Sequence, residues 1–367
     1  MATLFPQCVS VIKEARFEKH EMFSHFTAYH SIQKARIVLL LAGILSVLPP
    51  LNSLYAQQGI YTLDDVERIG ASALKGPEDV AVDSEGNIFT GCADGVLYKI
   101  TPQGDVSRFA ATGGRPLGLY FSPDGELLVC DAGRREVLSI TPHGVVRVIA
   151  RSADNRDLVF PDDIWAARDG TVYFTDATTY PFGEEIQDLI RGEPLGRLLC
   201  IRPDKTVEVL KKDLYFPNGV TLSQDETYLY VAETPKARVL RIALSGPGKG
   251  ESQVFVDNLP GFIDGIAMDH EGNILVAIPA ISEKDRKRVE ALPIWVRGWL
   301  SRLPRWSLPT PAPEGMVLRI RSDKTVEILL SDPKGEKIPS VTNVISAGGF
   351  YYMGFLYYGD GIARIRR

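Results

Sequence analysis

Glu78, Asp162, Asn218 and Asp264 occupy the same place in a recurring ten-residue pattern. The copies are PEDVAVDSEG at 77–86, PLGLYFSPDG at 116–125, PDDIWAARDG at 161–170, PNGVTLSQDE at 217–226 and IDGIAMDHEG at 263–272, and they align without a gap. Their second residue is Glu78, Leu117, Asp162, Asn218 and Asp264 in turn, and a sixth, looser copy, SVTNVISAGG at 340–349, puts Val341 or Thr342 there. Residues that share a repeat position share an orientation, so three carboxylates and an amide converge. Carboxylates brought together repel one another, and a bound cation relieves the repulsion. An all-oxygen donor set favours a hard ion, Ca²⁺ ahead of Mg²⁺ or Mn²⁺. Such an ion would polarise a carbonyl group for attack by water, with Asp163 or Asp264 as the candidate general base and Asp162 as a ligand or substrate contact. The competing reading is that these polar side chains satisfy backbone groups around a water-filled channel.

Other chemistries lack their residues. A nucleophile of the Ser–His or Cys–His kind needs a nearby histidine, yet His20, His25 and His30 lie in the N-terminal segment. His143 (TPHG) and His270 (DHEG) sit in turns expected on the face opposite Glu78. Of four cysteines Cys8 is N-terminal, while Cys92 and Cys130 fall at similar places in neighbouring repeats and Cys200 in the run RLLCI. Those three read as small buried core residues, with a Cys92–Cys130 disulfide as the alternative in an oxidising compartment. No CxxC pair is present for a thiolate metal site. The glycines of GGRPLG and PGKGES follow no strand that opens a helix, so they are turns and not phosphate loops. With 41 Lys+Arg against 46 Asp+Glu the formal charge is -5, which gives a nucleic-acid backbone nothing to hold.

The elements that must carry the ring are legible in the same repeat. Each copy is followed by a β-rich run (NIFTG, LLVCD, TVYFTD, YLYVAE, NILVA, FYYMG) and then by further short strands bounded by Gly, Asp and Pro. Units of about forty residues built this way predict an all-β, six-bladed β-propeller. The last unit ends in IARIRR without a fourth strand, so a strand near Tyr61–Ile69 is expected to complete that blade and close the ring. The first strand of each blade lines the channel, which places the shared second position at one mouth. Loops between second and third strands overhang that mouth, and two insertions fall there, 178–195 and 281–314. Leu292, Trp295, Val296, Trp299, Leu300 and Leu303 recur at helical spacing in the second insertion. The resulting helix is either a hydrophobic lid that meets an apolar substrate or a membrane, or a helix packed on the rim as core.

Residues 1–56 differ from the rest. Lys34 and Arg36 precede the uncharged run IVLLLAGILSVL, Pro49-Pro50 and then Ala56. That order reads as a signal peptide of an exported, periplasmic or secreted protein, with a start at Met22 giving an n-region of ordinary length. A membrane anchor that keeps the propeller outside the cytoplasm is the alternative. The propeller is assigned to 57–367.

The segments at 114–133 (GRPLGLYFSPDGELLVCDAG), 196–234 (with FPNGV) and 254–278 (with NLPGF) resemble the strictosidine-synthase-like proteins, relatives of the gluconolactonase/senescence marker protein and paraoxonase groups. The resemblance covers nearly everything from Gly76 to Arg367. It implies a calcium-dependent propeller in which Glu78, Asn218 and Asp264 match the metal ligands of the hydrolytic relatives, Asp162 a metal or substrate contact, and Asp163 the acid after it. Where the family often reads PDN this chain reads Ile263-Asp264-Gly265, and Ser346 stands where the true synthase carries a glutamate. The alkaloid-forming condensation is therefore not expected. The expectation is a divalent-metal-dependent hydrolase of lactones or other esters, against a non-catalytic, calcium-stabilised propeller that binds a protein or lipid.

Overall fold

In the computed structural model, residues 59–280, 283–304, 307–308, 313–356 and 358–367 are described. The expected leader or anchor at 1–56 lies outside them.

The described residues form six four-stranded antiparallel sheets around a central channel, the propeller read from the repeat. The inner strands are Val80–Val82, Pro116–Phe121, Pro161–Ala166, Pro217–Leu222, Ile266–Met268 and Val341–Ala347, which we number blades 1 to 6. Buried aliphatic side chains fill the spaces between neighbouring blades. Tyr230, Ala232 and Val239 of blade 4, for example, pack on Ile274, Val276 and Leu318 of blade 5. The turn after each inner strand needs a left-handed residue, supplied by Gly86 at φ 83° and Gly170 at φ 86°. Blade 4 uses Glu226 at φ 57° in the same turn.

The ring closes as expected, but with a shorter strap. Glu67–Ile69 pairs antiparallel with Ile362–Arg366 and supplies the outer strand of blade 6. The residues before it instead extend blade 5, where the N–H groups of Ile60 and Tyr61 donate to Ile328 O and Leu329 O. Cys92, Cys130 and Cys200 are buried free thiols, so no disulfide staples the ring.

Both insertions carry helices. Glu185–Arg191 lies in the first, and the second holds Glu283–Ala291 followed, after Pro293, by Ile294–Leu300. The helices Glu185–Arg191 and Ile294–Leu300 pack together. The stripe predicted as one apolar face is split: Leu300 is buried, while Trp295 is 75% and Trp299 51% exposed. No helix among the described residues is long and apolar enough to cross a membrane.

Candidate active site at the mouth of the channel

Each inner strand of blades 2, 3, 4 and 6 starts with a register shift in its pairing to the second strand, as at Pro161/Ile164 and Pro217/Val220. The shift is a β-bulge that turns the second residue of the copy toward the axis. In blade 6 the pairs Val341–Phe355 and Asn343–Gly354 place the shift at Thr342, which settles the register the sequence left between Val341 and Thr342. The mouth is thus ringed by Glu78, Leu117, Asp162, Asn218, Asp264 and Thr342.

All four polar ring residues proposed from the sequence are buried. Burial pushes Glu78 up to about 7, with Arg115 opposing. Asp162 rises well above the usual carboxylate range, first through burial and then through the charges of Glu78, Asp264, Asp163 and Glu185. Asp264 rises likewise through burial and the charges of Glu78 and Asp163, and only a hydrogen bond from the Asn218 side chain works in the other direction. The three carboxyl groups therefore feel one another, and the amide of Asn218 lies against one of them. Asp162 Oδ2 has no hydrogen-bond partner among the described residues.

The third residue of each copy does different work. Asp79 accepts the N–H of its neighbour Val80 at 2.6 Å and that of Leu119 in blade 2. Asp163 accepts Ile164 N–H at 2.8 Å and Val220 N–H of blade 4 at 2.7 Å. Each carboxylate ties one blade to the next at the axis. The residue facing it must be glycine: a Cβ on Gly118 would lie 2.5 Å from Asp162 O, and one on Gly219 2.7 Å from Asp264 O. Asp163 also rises, to about 8, chiefly through burial and against the pull of those two amides.

A further set of acids went unread in the sequence. The residue that ends the second strand, Asp131, Asp176 or Glu233, accepts backbone N–H groups just before the inner strand of its own blade, at Arg115, Phe160 and Tyr215. Asp176 is in turn held by the buried guanidinium of Arg197 at 2.5 Å. The signal was present as the acid closing LLVCD, TVYFTD and YLYVAE.

Above the ring, Leu117, Phe160, Ala177 and Phe216 form an apolar wall with Phe182 and Leu189 of the first insertion and Leu356 of blade 6. His270 and Ser346 line a cavity at the opposite end of the channel, away from the ring.

Residues 88–288 match the family model described as SMP-30/gluconolactonase/LRE-like region, and residues 61–100 match strictosidine synthase-like, N-terminal. The chain belongs to the SMP-30/gluconolactonase/LRE-like family. Among its relatives this propeller is 37% identical over 227 residues to the strictosidine synthase-like 7 protein of Arabidopsis thaliana, a match covering 59% of this chain and 60% of that protein. The chain thus spans about three-fifths of the plant relative. It is 30% identical to the adipocyte plasma membrane-associated protein of Rattus norvegicus, over 80% of this chain and 84% of the relative. A solved putative gluconolactonase shares the fold with a TM-score of 0.60 at 18% identity, covering 82% of this chain and 91% of the other. A gluconolactonase from Xanthomonas campestris does so with a TM-score of 0.60 at 16% identity, over 82% of this chain and 91% of its own.

The ring suits a hard cation in donor chemistry: buried oxygen donors, an unpartnered carboxylate oxygen on Asp162 and mutual repulsion that a positive charge would relieve. Among the described residues no three His, Cys, Asp or Glu side chains converge closely enough to hold a metal by themselves. The Asn218 amide would have to complete the shell.

Proposed function

We propose that this propeller is a divalent-cation-dependent hydrolase of lactones or other carboxylic esters. The observation that carries the reading is the buried ring in which burial and the charge of Glu78 raise the proton affinity of Asp162 and Asp264, beside the Asn218 amide. Glu78, Asn218 and Asp264, with Asp162 as a fourth donor, would hold the cation, Ca²⁺ first among the candidates. When bound, such an ion supplies polarisation of the ester carbonyl and stabilises the oxyanion.

The chain's own residues supply the rest. Asp264 and Asp162 are the carboxylates that orient water and take up its proton. Asp163 has both oxygens engaged by backbone amides. In this reading it positions the bulge that presents Asp162 and does not itself act as the base. Phe160, Phe182, Phe216 and Leu117 exclude bulk water and seat the apolar part of the ester. The test is turnover of a panel of lactones and aryl esters with and without chelator. Hydrolysis that chelation abolishes and Ca²⁺ restores supports the reading, and hydrolysis indifferent to chelation refutes it.

One observation favours a second reading, a propeller that meets a lipid surface. Ile294, Trp295 and Trp299 present exposed apolar area on one short helix. Indole rings on a helix with Arg297 and Arg302 close by suit a headgroup interface.

A further inference from the structure

At the end of the channel opposite the ring, the inner strands enclose a cavity of about 620 Å³ that contains none of Glu78, Asp162, Asn218 or Asp264. That size is within the range of small-molecule sites. Its walls are more apolar than polar, with Leu119, Phe121, Ile164, Leu222, Met268 and Ile345 among them, and the amide-bound carboxyl groups of Asp79 and Asp163 line it as well. One side is aromatic: Tyr120 and Trp165 stack with centroids 4.2 Å apart and planes at 30°. The two arginines near the mouth are paired, Arg168 with Glu226 at 3.2 Å and Arg367 with Glu271 at 2.6 Å. Neither arginine is therefore left unpaired for an anionic ligand.

At its inner end lies Asn343, 6% exposed, whose Oδ1 has no hydrogen-bond partner among the described residues. A buried amide oxygen without a donor costs free energy until something donates to it. The cavity into which it opens is where a donor can come from.

We propose that this end of the channel is a second binding site, for a neutral, flat aromatic or fused-ring molecule that carries one N–H or O–H group at its inner end. The apolar walls take the body, the Tyr120–Trp165 stack takes the ring edge, and Asn343 takes the donor. The site contains none of the candidate cation ligands Glu78, Asp162, Asn218 and Asp264, so the proposal survives if the ester chemistry is refuted.

N-phenyl-1-naphthylamine, a neutral aromatic amine whose fluorescence rises in apolar surroundings, is the probe. Titrated into the full chain, it should bind saturably at one site, with or without chelator. Ala347→Phe, which fills the cavity, and Gln224→Trp, which caps its mouth from an exposed position, should each weaken binding by about tenfold or more. Trp295→Ser combined with Trp299→Ser should leave binding unchanged. Absence of saturable binding overturns the proposal. So does wild-type affinity in Gln224→Trp, which decides alone if Ala347→Phe does not fold. Loss of binding in the double tryptophan variant would place the probe on the lid and overturn it as well.

Discussion

Asp163 of blade 3 accepts the backbone N–H of Val220 in blade 4 at 2.7 Å, directly beneath the ring of candidate ligands. Asp79 makes the matching bond to Leu119, between blades 1 and 2. In both places the partner strand carries a glycine, Gly219 or Gly118, one residue before the amide that is bound. The inner strands are drawn together at the axis by acids that point along the channel wall, while their neighbours Glu78 and Asp162 face the mouth.

Asp163→Asn should therefore act on stability before it acts on ligand binding. One of its two side-chain positions becomes an N–H group facing a backbone N–H, at a cost of about 1–3 kcal/mol for the unsatisfied group. Thermal melts should show that loss, with cation affinity nearly kept. Asp264→Asn should do the reverse, weakening cation affinity with little loss of fold. Gly219→Ala has no room for its methyl group against Asp264 O and Ile266 N, so it should lower the melting temperature more than either.

The pH dependence of the chelated protein follows from the same acids. Glu78 moves from 4.5 to about 7 on folding and Asp163 from 3.8 to about 8, with Asp79, Asp162 and Asp264 shifted in the same direction. Across those windows the folded chain binds more protons than the unfolded one, so its stability falls as pH rises. Asp225, held down to about 2 by Ser223 and Thr227, works oppositely, and only below 3.8. Melting temperature measured in chelator should thus decline from about pH 4.5 toward pH 8. Adding Ca²⁺ at pH 8 should recover much of the loss, because the cation takes over from the protons.

The pair Arg197–Asp176 is buried, with side-chain exposures of 3% and 0%. Arg197→Met should cost about 3–5 kcal/mol, as expected when one member of a buried ion pair is removed. Because Asp176 also holds the amides of Val159 and Phe160, the variant should lose turnover by a larger factor than cation affinity. Parallel denaturant unfolding, calorimetry and kinetics would separate the two effects.

If the exposed indoles meet lipid, Trp295→Ser with Trp299→Ser should lower sedimentation with vesicles of mixed zwitterionic and anionic lipid, while thermal stability stays within about 0.5 kcal/mol of the parent, as for other surface changes. Unchanged sedimentation would leave the lid as a cover for the site alone.

The repeat made the blades, the ring and the placement of both insertions readable, because position in a repeat fixes direction in a propeller. Thr342 was ambiguous because blade 6 has neither the proline nor the acid that marks the ring position elsewhere. Asp163 reads in sequence as a second acid beside Asp162. Only the bulge shows that two adjacent acids part, one to the mouth and one to the next blade. The split face of Ile294–Leu300 was illegible for another reason: helical spacing shows that side chains share a side, not what covers that side. The cavity at the far end involves ordinary wall residues of six strands, and no motif announces such a space.

Calorimetric titration of divalent cations into exhaustively chelated protein at neutral pH is the most direct test of the cation ring. The ring predicts one site for Ca²⁺, proton release on binding, affinity that tightens as pH rises, and clear weakening in Asp264→Asn but not in Asp163→Asn. No heat and no shift in melting with Ca²⁺, Mg²⁺, Mn²⁺ or Zn²⁺ would contradict it, and Glu78, Asp162, Asn218 and Asp264 would then be the polar lining of a water-filled mouth.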